Sequence, residues 1–278
     1  MKNTLKLFGL ITLMCFSFFY TEKVMMVVSE QDPLKMQIIQ LADSYKISPN
    51  EAIVTDDTII PGNNGRKVNI EKSYKKMRKN NVFNNNLLVY DILYPDYTVS
   101  SNLDKYVVKG SVNKKEVSIL FIVTSDNNLA RIINILDSKK VISNLFIEYN
   151  YLNKNISDIK NYANHNIYSY NEEYTYDSLI ISNNIIKRIA NNEPSYCLSK
   201  DKNEKNLNVC SYSNMSTVIP SVLGSLNELK ANLENGSIIL FDTGINTVNE
   251  LSYIIDFIIG KGYNIVGLDK LLDENISW

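Results

Sequence analysis

The chain has 278 residues, of which 45% are hydrophobic and 21% are charged, and its formal net charge is −1 at pH 7. This composition is that of a folded globular protein with one large or two modest domains. Because acidic and basic residues are balanced and interspersed, the sequence lacks the basic footprint of a nucleic-acid-binding protein, and no nucleic-acid partner is expected.

Residues 1–24 have the pattern of a secretory leader. Lys2 and Lys6 precede an apolar run over 7–20, and Glu22 and Lys23 follow it. A bilayer span usually needs ~20 apolar residues, so this run is typical of a signal peptide, but no small-residue cleavage site follows it. An uncleaved signal anchor therefore stays open. In either case the rest of the protein is expected outside the cytoplasm, secreted or held at the membrane by this segment.

Residues 25–113 predict a flexible stem and a small α+β module. Periodicity and turn residues predict, in chain order, a helix over 33–45, a PGNNG turn at 61–65, a helix over 70–79, a strand over 87–90, and then mostly loop and edge strand. Asn69 is expected to cap the second helix. Arg66, just after the turn, is either an ordinary surface residue or a group that binds an acidic glycan.

From residue 114 onward, apolar strands alternate with helices. The predicted strands are 117–123, 142–149, 165–170, 218–219 and 237–241, and the predicted helices are 129–140, 156–162 and 178–191. Residues 236–272 predict strand, loop, helix, tight turn, strand and short helix. This alternation indicates a parallel sheet with helical crossovers, and strands that are apolar throughout indicate that both faces are covered.

Cys197 and Cys210 are the only cysteines outside the leader, and they flank a polar stretch that predicts a loop. Outside the cytoplasm a disulfide between them is favoured, with two unpaired thiols as the alternative. Closing a loop of this size would contribute about 3 kcal/mol on the chain-entropy account. Their spacing and the single histidine of the chain argue against a zinc site.

Several segments together resemble the polysaccharide deacetylase (NodB-like) family. VSILF at 117–121, ILDSKKVISNLFI at 135–147 and NHNI at 164–167 are similar to its opening strand, first helix, second strand and following turn. GSIIL and ELSYIIDFIIGKGYNIVGLDKLL are similar to its last two strands and the helix between them. The resemblance covers about residues 117–272. It implies an α/β fold, a distorted (β/α) barrel over 114–278, preceded by the small α+β module of 25–113.

The family hydrolyses acetyl groups on sugars with a metal held by one aspartate and two histidines. A second aspartate acts as the base, and a third histidine protonates the leaving group. The resemblance places Ile122 and Val123 at the base and metal-binding aspartates, and Tyr170 and Tyr174 at the two metal-binding histidines. Asp242 falls at the catalytic histidine, or Phe241 does if the register is shifted by one residue.

The family's reaction needs three histidines, and this chain has one. Hydrocarbon side chains neither bind a metal nor accept a proton, and a phenol with an ordinary pKa near 10 replaces imidazole poorly at neutral pH. The resemblance therefore implies the fold without the activity. No resident metal or other cofactor is expected.

Two acidic residues remain candidates for a rebuilt catalytic site. Asp242 is either a surviving acid or, as the sequence DTGIN favours, a cap for the turn that follows. Asp126 is either a relocated carboxylate or, more in keeping with its place before Leu129, part of a helix N-terminus. His165, which matches a family histidine that is not a ligand, is interpreted as a structural hydrogen-bonding residue.

Tyrosines cluster near the end of the predicted strand 165–170. Tyr168, Tyr170, Tyr174 and Tyr176 each offer a flat apolar ring and a hydroxyl, which suit a sugar ring. The alternative is that they only pack a loop. The cluster is the sequence's best indication of glycan binding.

Three functions follow from these observations. The first is an extracytoplasmic, catalytically degenerate deacetylase-like protein that binds or scaffolds cell-envelope glycan. The second is an active carbohydrate deacetylase with a rebuilt site containing Asp242, Asp126 and Tyr170, which would require zinc or another divalent metal. The third is a structural or interaction protein that uses the barrel only as a scaffold.

Overall fold

The computed structural model describes residues 11–18, 32–125, 128–190 and 193–275. Residues 11–18 form a helix, α1, and its large apolar side chains are exposed. Within the described ranges, no helix is both long and apolar enough to cross a bilayer. Most of the predicted leader lies outside these ranges, so signal peptide or signal anchor stays a prediction.

The chain forms two compact units. Unit 1 contains residues up to 49 together with 65–94, and unit 2 contains 50–64 together with 95–278. This division differs from the predicted boundary after residue 113. The difference arises because short strands from 50–64 and 95–113 pair within the sheets of unit 2.

Unit 1 is a small α+β module. Its elements are α2 (Pro33–Ala42), β3 (Gly65–Val68), α3 (Ile70–Met77) and β4 (Tyr90–Leu93). Strands β3 and β4 pair antiparallel, and the helices pack their apolar faces into a shared core. Asn69 caps α3 by accepting the Lys72 N–H at 2.9 Å, as the sequence predicts. The predicted strand at 87–90 starts only at Tyr90, because a turn of 3₁₀ helix precedes it.

Unit 2 contains eleven strands and eight helices among its described residues. The strands are β1 (Ile53–Val54), β2 (Thr58–Ile60), β5 (Tyr106–Val107), β6 (Glu116–Val123), β7 (Asn144–Glu148), β8 (Asn166–Tyr170), β9 (Tyr196–Leu198), β10 (Ser216–Val218), β11 (Val222–Leu223), β12 (Ile238–Phe241) and β13 (Asn264–Ile265). The helices are α4 (Leu129–Ser138), α5 (Tyr149–Lys154), α6 (Ile156–Ile159), α7 (Tyr176–Ile189), α8 (Glu204–Tyr212), α9 (Leu226–Asn232), α10 (Ile245–Gly260) and α11 (Leu268–Leu271).

The strands of unit 2 form two sheets that together make an open barrel. One has the order β11-β12-β6-β7-β8, with β13 also paired to β6, and every pair is parallel. The other has the order β1-β2-β5-β10-β9 and is parallel except for β1 and β2. No strand pairing among the described residues joins the two sheets, so hydrogen bonds do not close the barrel. The predicted distorted (β/α) barrel is confirmed at this level.

Each long strand buries both of its faces. Val117, Ile119 and Phe121 of β6 face a core covered by helices such as α4 and α10, whereas Leu120 faces the barrel interior. The interior core receives side chains from both sheets. Covering on both faces is the physical reason that these strands are continuously apolar, as the sequence indicated.

Three local predictions in this region are wrong. Strand β5 is central in its sheet and not an edge strand. The polar stretch between the cysteines contains helix α8, which Asn203 caps by accepting the Asn206 N–H at 3.1 Å. Helix α5 begins at Tyr149, the last residue of the predicted strand 142–149, and the sequence predicts no helix at this point. A short polar segment becomes helical here because a side-chain cap and a packed face stabilise it.

Candidate functional site

The carboxyl ends of β6, β7, β8 and β12 lie at one edge of the parallel sheet, which is where α/β proteins place their chemistry. Phe241 pairs with Phe121, so Asp242 and Ile122 are the next residues on neighbouring strands. On the other side of β6, Val123 pairs with Ile147 of β7. This register brings the positions singled out in the sequence to the same edge.

The last two side chains of β6 are hydrocarbon. Val123 is fully buried in the helix-covered core, and Ile122 packs against the interior core. Before them, the rings of Phe121 and Phe241 stack with centroids 5.5 Å apart. The two side chains at the positions of the family's aspartates therefore contribute packing and no oxygen.

Asp242 has the geometry of a cap. Its Oδ1 accepts the Gly244 N–H at 2.8 Å and the Thr247 hydroxyl at 2.8 Å. Both bonds fasten the first turn of α10, whose N-terminal backbone N–H groups lack partners within the helix. The side chain is exposed, and the favoured sequence interpretation matches this arrangement.

We expect Asp242→Ala to lower the free energy of unfolding by about 1 kcal/mol, the usual cost of losing a helix cap. Asp242→Asn is expected to stay near the wild-type value, because an amide oxygen accepts the same two bonds. Urea unfolding followed by circular dichroism measures both. If both variants lose the same free energy of unfolding, the negative charge of Asp242 stabilises the protein and its two hydrogen bonds to the turn do not.

Tyr174, which the sequence resemblance assigns to a metal-binding histidine, links the ends of strands from the two sheets. Its ring is fully buried, and its hydroxyl lies 3.1 Å from the Ser169 carbonyl and 3.3 Å from the Leu198 carbonyl. The same oxygen accepts the Leu198 N–H at 3.2 Å. Burial raises the pKa of Tyr174 above its ordinary value, so the phenol stays protonated. The oxygen is thus committed to linking the ends of β8 and β9.

The structure corrects the predicted sugar-binding role of the other strand tyrosines. Tyr168 is fully buried, stacks on Phe146 at a centroid distance of 5.0 Å, and donates its hydroxyl to Asp269 at 3.1 Å. Tyr170 is 5% exposed, with the Lys200 ammonium 5.8 Å from its ring centroid. A buried ring offers no face to a sugar, so Tyr168 and Tyr174 are core residues. Side-chain burial depends on tertiary packing, which the tyrosine spacing did not reveal.

The remaining predicted residues are dispersed. Arg66 lies on β3 of unit 1, with its guanidinium stacked 4.2 Å from the Tyr90 ring centroid. Asp126 lies outside the described residues. His165 is buried, accepts the Ser143 N–H at Nδ1 (3.2 Å), and has Nε2 3.4 Å from Asp137. Burial lowers the pKa of His165, which matches a neutral, structural imidazole.

Cys197 and Cys210 are joined by a disulfide across 13 positions of sequence. The bond connects β9 to α8 and is buried with Tyr174, Leu179 and Met215 in a cluster of its own. The disulfide and Tyr174 therefore fix the same region, the junction of β8, β9 and α8.

The side chains at this edge do not suit the metal that the resemblance implies. Two positions carry hydrocarbon, and the buried phenol of Tyr174 is already hydrogen-bonded. The described ranges contain no group of three or more His, Cys, Asp or Glu residues that could hold a metal ion. A divalent cation needs several oxygen, nitrogen or sulfur ligands, and the described side chains of this edge do not form such a group.

Comparison with known proteins agrees with this architecture. No family model matches the chain. The uncharacterized protein YlxY of Bacillus subtilis is 27% identical over 278 residues, covering 89% of this chain and 86% of YlxY.

Solved structures show the same fold. BA3943, a CE4 family pseudoenzyme of Bacillus anthracis, is similar with a TM-score of 0.66 and 23% identity over 89% of this chain and 97% of its own. A BA3943 mutant with restored enzymatic activity has the same TM-score of 0.66 at 22% identity, over 88% of this chain and 100% of its own. The Bc1960 peptidoglycan N-acetylglucosamine deacetylase is similar with a TM-score of 0.55 and 23% identity, over 62% of this chain and 95% of its own.

The fold is therefore that of the CE4 polysaccharide deacetylases, in a divergent form. The resemblance inferred from the sequence is confirmed for the fold, and the similar structures include a pseudoenzyme as well as deacetylases.

Proposed function

We propose that this protein is a catalytically degenerate member of the polysaccharide deacetylase fold that acts outside the cytoplasm and binds cell-envelope glycan without hydrolysing it. The single observation that carries the proposal is the carboxyl edge of the sheet. There, the side chains of Ile122 and Val123 are hydrocarbon, and the hydroxyl of Tyr174 is hydrogen-bonded to the backbone of β8 and β9.

Loss of the ligand set removes the family's chemistry but not its shape. Water activation by a divalent metal needs a cation held in place beside a base. The described side chains that the resemblance assigns to these functions are hydrocarbon or an already hydrogen-bonded phenol. Asp242, the acid that remains among the described candidates, binds a helix terminus through one of its oxygens. This arrangement supports a protein that keeps the fold and binds glycan without hydrolysing it.

The proposed ligand class follows from the proteins that share the fold. One of them is named as a peptidoglycan N-acetylglucosamine deacetylase. A glycan containing N-acetylglucosamine is therefore the first ligand to test. The apolar run of the predicted leader supports a location at the cell envelope, secreted or membrane-anchored.

We expect the full-length protein, purified in mild detergent and dialysed against trace zinc, to retain far less than one metal ion per chain. It is expected to release no acetate from peptidoglycan or from chitotetraose, the β-1,4-linked tetramer of N-acetylglucosamine. It is expected to sediment with insoluble peptidoglycan. An active CE4 deacetylase treated in parallel controls the metal and acetate assays, and a non-binding protein controls the sedimentation.

Two results would overturn parts of the proposal. About one metal per chain, with acetate release that disappears in Asp242→Asn, would establish an active enzyme with a rebuilt site. Failure to sediment with peptidoglycan would remove glycan binding and favour a scaffold for a protein partner.

A further inference from the structure

A cleft of about 290 Å³ lies between α7 and the C-terminal end of α8, within unit 2. One wall is a single face of α7, whose residues recur at positions i, i+3, i+4, i+7, i+8 and i+11 of the helix: Tyr176, Leu179, Ile180, Asn183, Asn184 and Lys187. The other wall contains Tyr212, Ser213 and Asn214. The cleft is formed by the outer surface of helices and is not lined by the residues at the carboxyl edge of the sheet.

Two exposed tyrosines stand at this cleft. Tyr176 is 55% exposed and Tyr212 is 85% exposed, in contrast to the buried tyrosines of β8. A tyrosine ring left in water offers an apolar face and a hydroxyl, which match the two kinds of surface on a sugar ring. Both rings are therefore available for stacking at this cleft.

Amide side chains supply the polar part of the cleft. Asn183 places its Nδ2 3.2 Å from the sulfur of Met215, which is a weak acceptor. Its Oδ1 is buried and has no hydrogen-bond partner among the described residues. This oxygen is shielded from solvent, so a ligand donor reaches it only after the Asn183 side chain rotates toward the cleft and gives up its weak contact with sulfur. Pairing with a sugar hydroxyl or an acetamide N–H would then remove the cost of an unpaired buried acceptor.

The cleft carries little net charge. Its two charged side chains, Lys187 and Glu193, form an ion pair with each other. A neutral ligand therefore fits better than a phosphate or a carboxylate. Aromatic rings, amides and balanced charge are together the features expected of a site for a neutral sugar.

The disulfide fixes the wall that bears Tyr212. Cys210 lies two residues before it and is bonded to Cys197 of β9. Asn214 adopts φ 56°, and the Met215 N–H bonds back to the Cys210 carbonyl at 2.9 Å, which ends the helix at this point. The exposed ring is thus presented from a rigid turn, which limits the conformational entropy lost on binding.

We propose that the cleft between α7 and α8 is a binding site for a neutral oligosaccharide containing N-acetylhexosamine, with Tyr176 and Tyr212 stacking on sugar rings and Asn183 accepting a hydrogen bond. The inference rests on the proposed function for the ligand class, and it places the ligand away from the degenerate edge.

The test is titration calorimetry of the full-length protein in mild detergent with chitotetraose. We expect Tyr212→Ala and Tyr176→Ala each to weaken binding about tenfold, because each removes one stacking ring. Tyr212→Phe keeps the ring and is expected to bind within about twofold of wild type. Tyr253→Ala, which removes a tyrosine that is 59% exposed on α10 and outside the cleft, is the matched control and is expected to bind normally.

Asn183→Leu separates a ligand contact from a structural role. It replaces an amide whose oxygen is unpaired, and whose nitrogen has only a weak sulfur acceptor, by an apolar group of similar size. Thermal unfolding is therefore expected to stay unchanged or move upward while chitotetraose binding is lost. A variant that unfolds at lower temperature and still binds would contradict the proposal.

The outcomes distinguish the two proposals. If the wild type binds neither chitotetraose nor peptidoglycan, glycan binding itself fails, and this site with it. If the wild type binds and the Tyr176 and Tyr212 variants bind equally well, the cleft is not the site, and the proposed function stands.

Discussion

Tyr174→Phe is expected to lower the free energy of unfolding by about 1–3 kcal/mol, although it removes one oxygen atom and leaves the ring in place. The reason is that the Leu198 N–H, which is buried at the end of β9, loses its acceptor. Tyr174→Ala is expected to cost about 3–5 kcal/mol, because a buried ring is removed as well. Chemical unfolding of the full chain measures both.

Substitution of Tyr174 also tests whether a single histidine restores metal binding. A single Tyr174→His substitution is expected to destabilise the protein without creating metal binding, because the other ligand positions remain hydrocarbon or phenol.

Tyr253→Phe, at an exposed ring on α10, is the matched control for Tyr174→Phe and is expected to change the free energy of unfolding by less than about 0.5 kcal/mol. Stability of Tyr174→Phe equal to wild type would show that the hydroxyl does not link the two sheets.

Reduction of the Cys197–Cys210 bond is expected to lower the free energy of unfolding by about 3 kcal/mol, as for a loop of similar length. For a chain of this size the corresponding fall in Tm is about 6–12 °C. Differential scanning calorimetry with and without a reductant measures the shift. Cys197→Ala with Cys210→Ala is expected to reproduce it in the absence of reductant.

Cys15 provides the control for this experiment, since it is the free cysteine of the described residues and lies on the exposed helix α1. Cys15→Ala is expected to unfold like wild type under oxidising conditions and to show the same fall in Tm on reduction. An identical Tm in oxidised and reduced wild-type protein would mean that the disulfide does not constrain the unfolded chain or the packing around Tyr174.

The predictions from sequence that succeeded concern local features. Apart from α5, the sequence predicts the strands and helices from 117 to 189 nearly to their bounds, because apolar periodicity and continuous apolar runs depend on neighbouring residues only. Asn69 and Asp242 were interpreted as caps for a related reason, since a short side chain bonds to a backbone N–H a few residues away. The count of one histidine also excluded the family's three-histidine chemistry before any geometry was known.

Features that depend on distant pairing were not predictable in this way. β5 has only two residues and no apolar run, yet it lies between β2 and β10 at the centre of a sheet. Its place is decided by partners about fifty and a hundred residues away, which local periodicity does not encode. The division into two compact units differs from the predicted boundary for the same reason.

At the candidate site, the tyrosines show which properties the sequence determines and which the tertiary structure determines. The sequence determined that aromatic and amide side chains are abundant, that the metal ligands of the family are missing, and that two cysteines are available to pair. Only the tertiary structure decided which rings are buried and which stay in water: Tyr168 and Tyr174 are fully buried, whereas Tyr176 and Tyr212 flank a cleft. Composition fixes which groups a chain possesses, but the solvent exposure of each ring is set by the elements packed against it, and those come from distant parts of the chain.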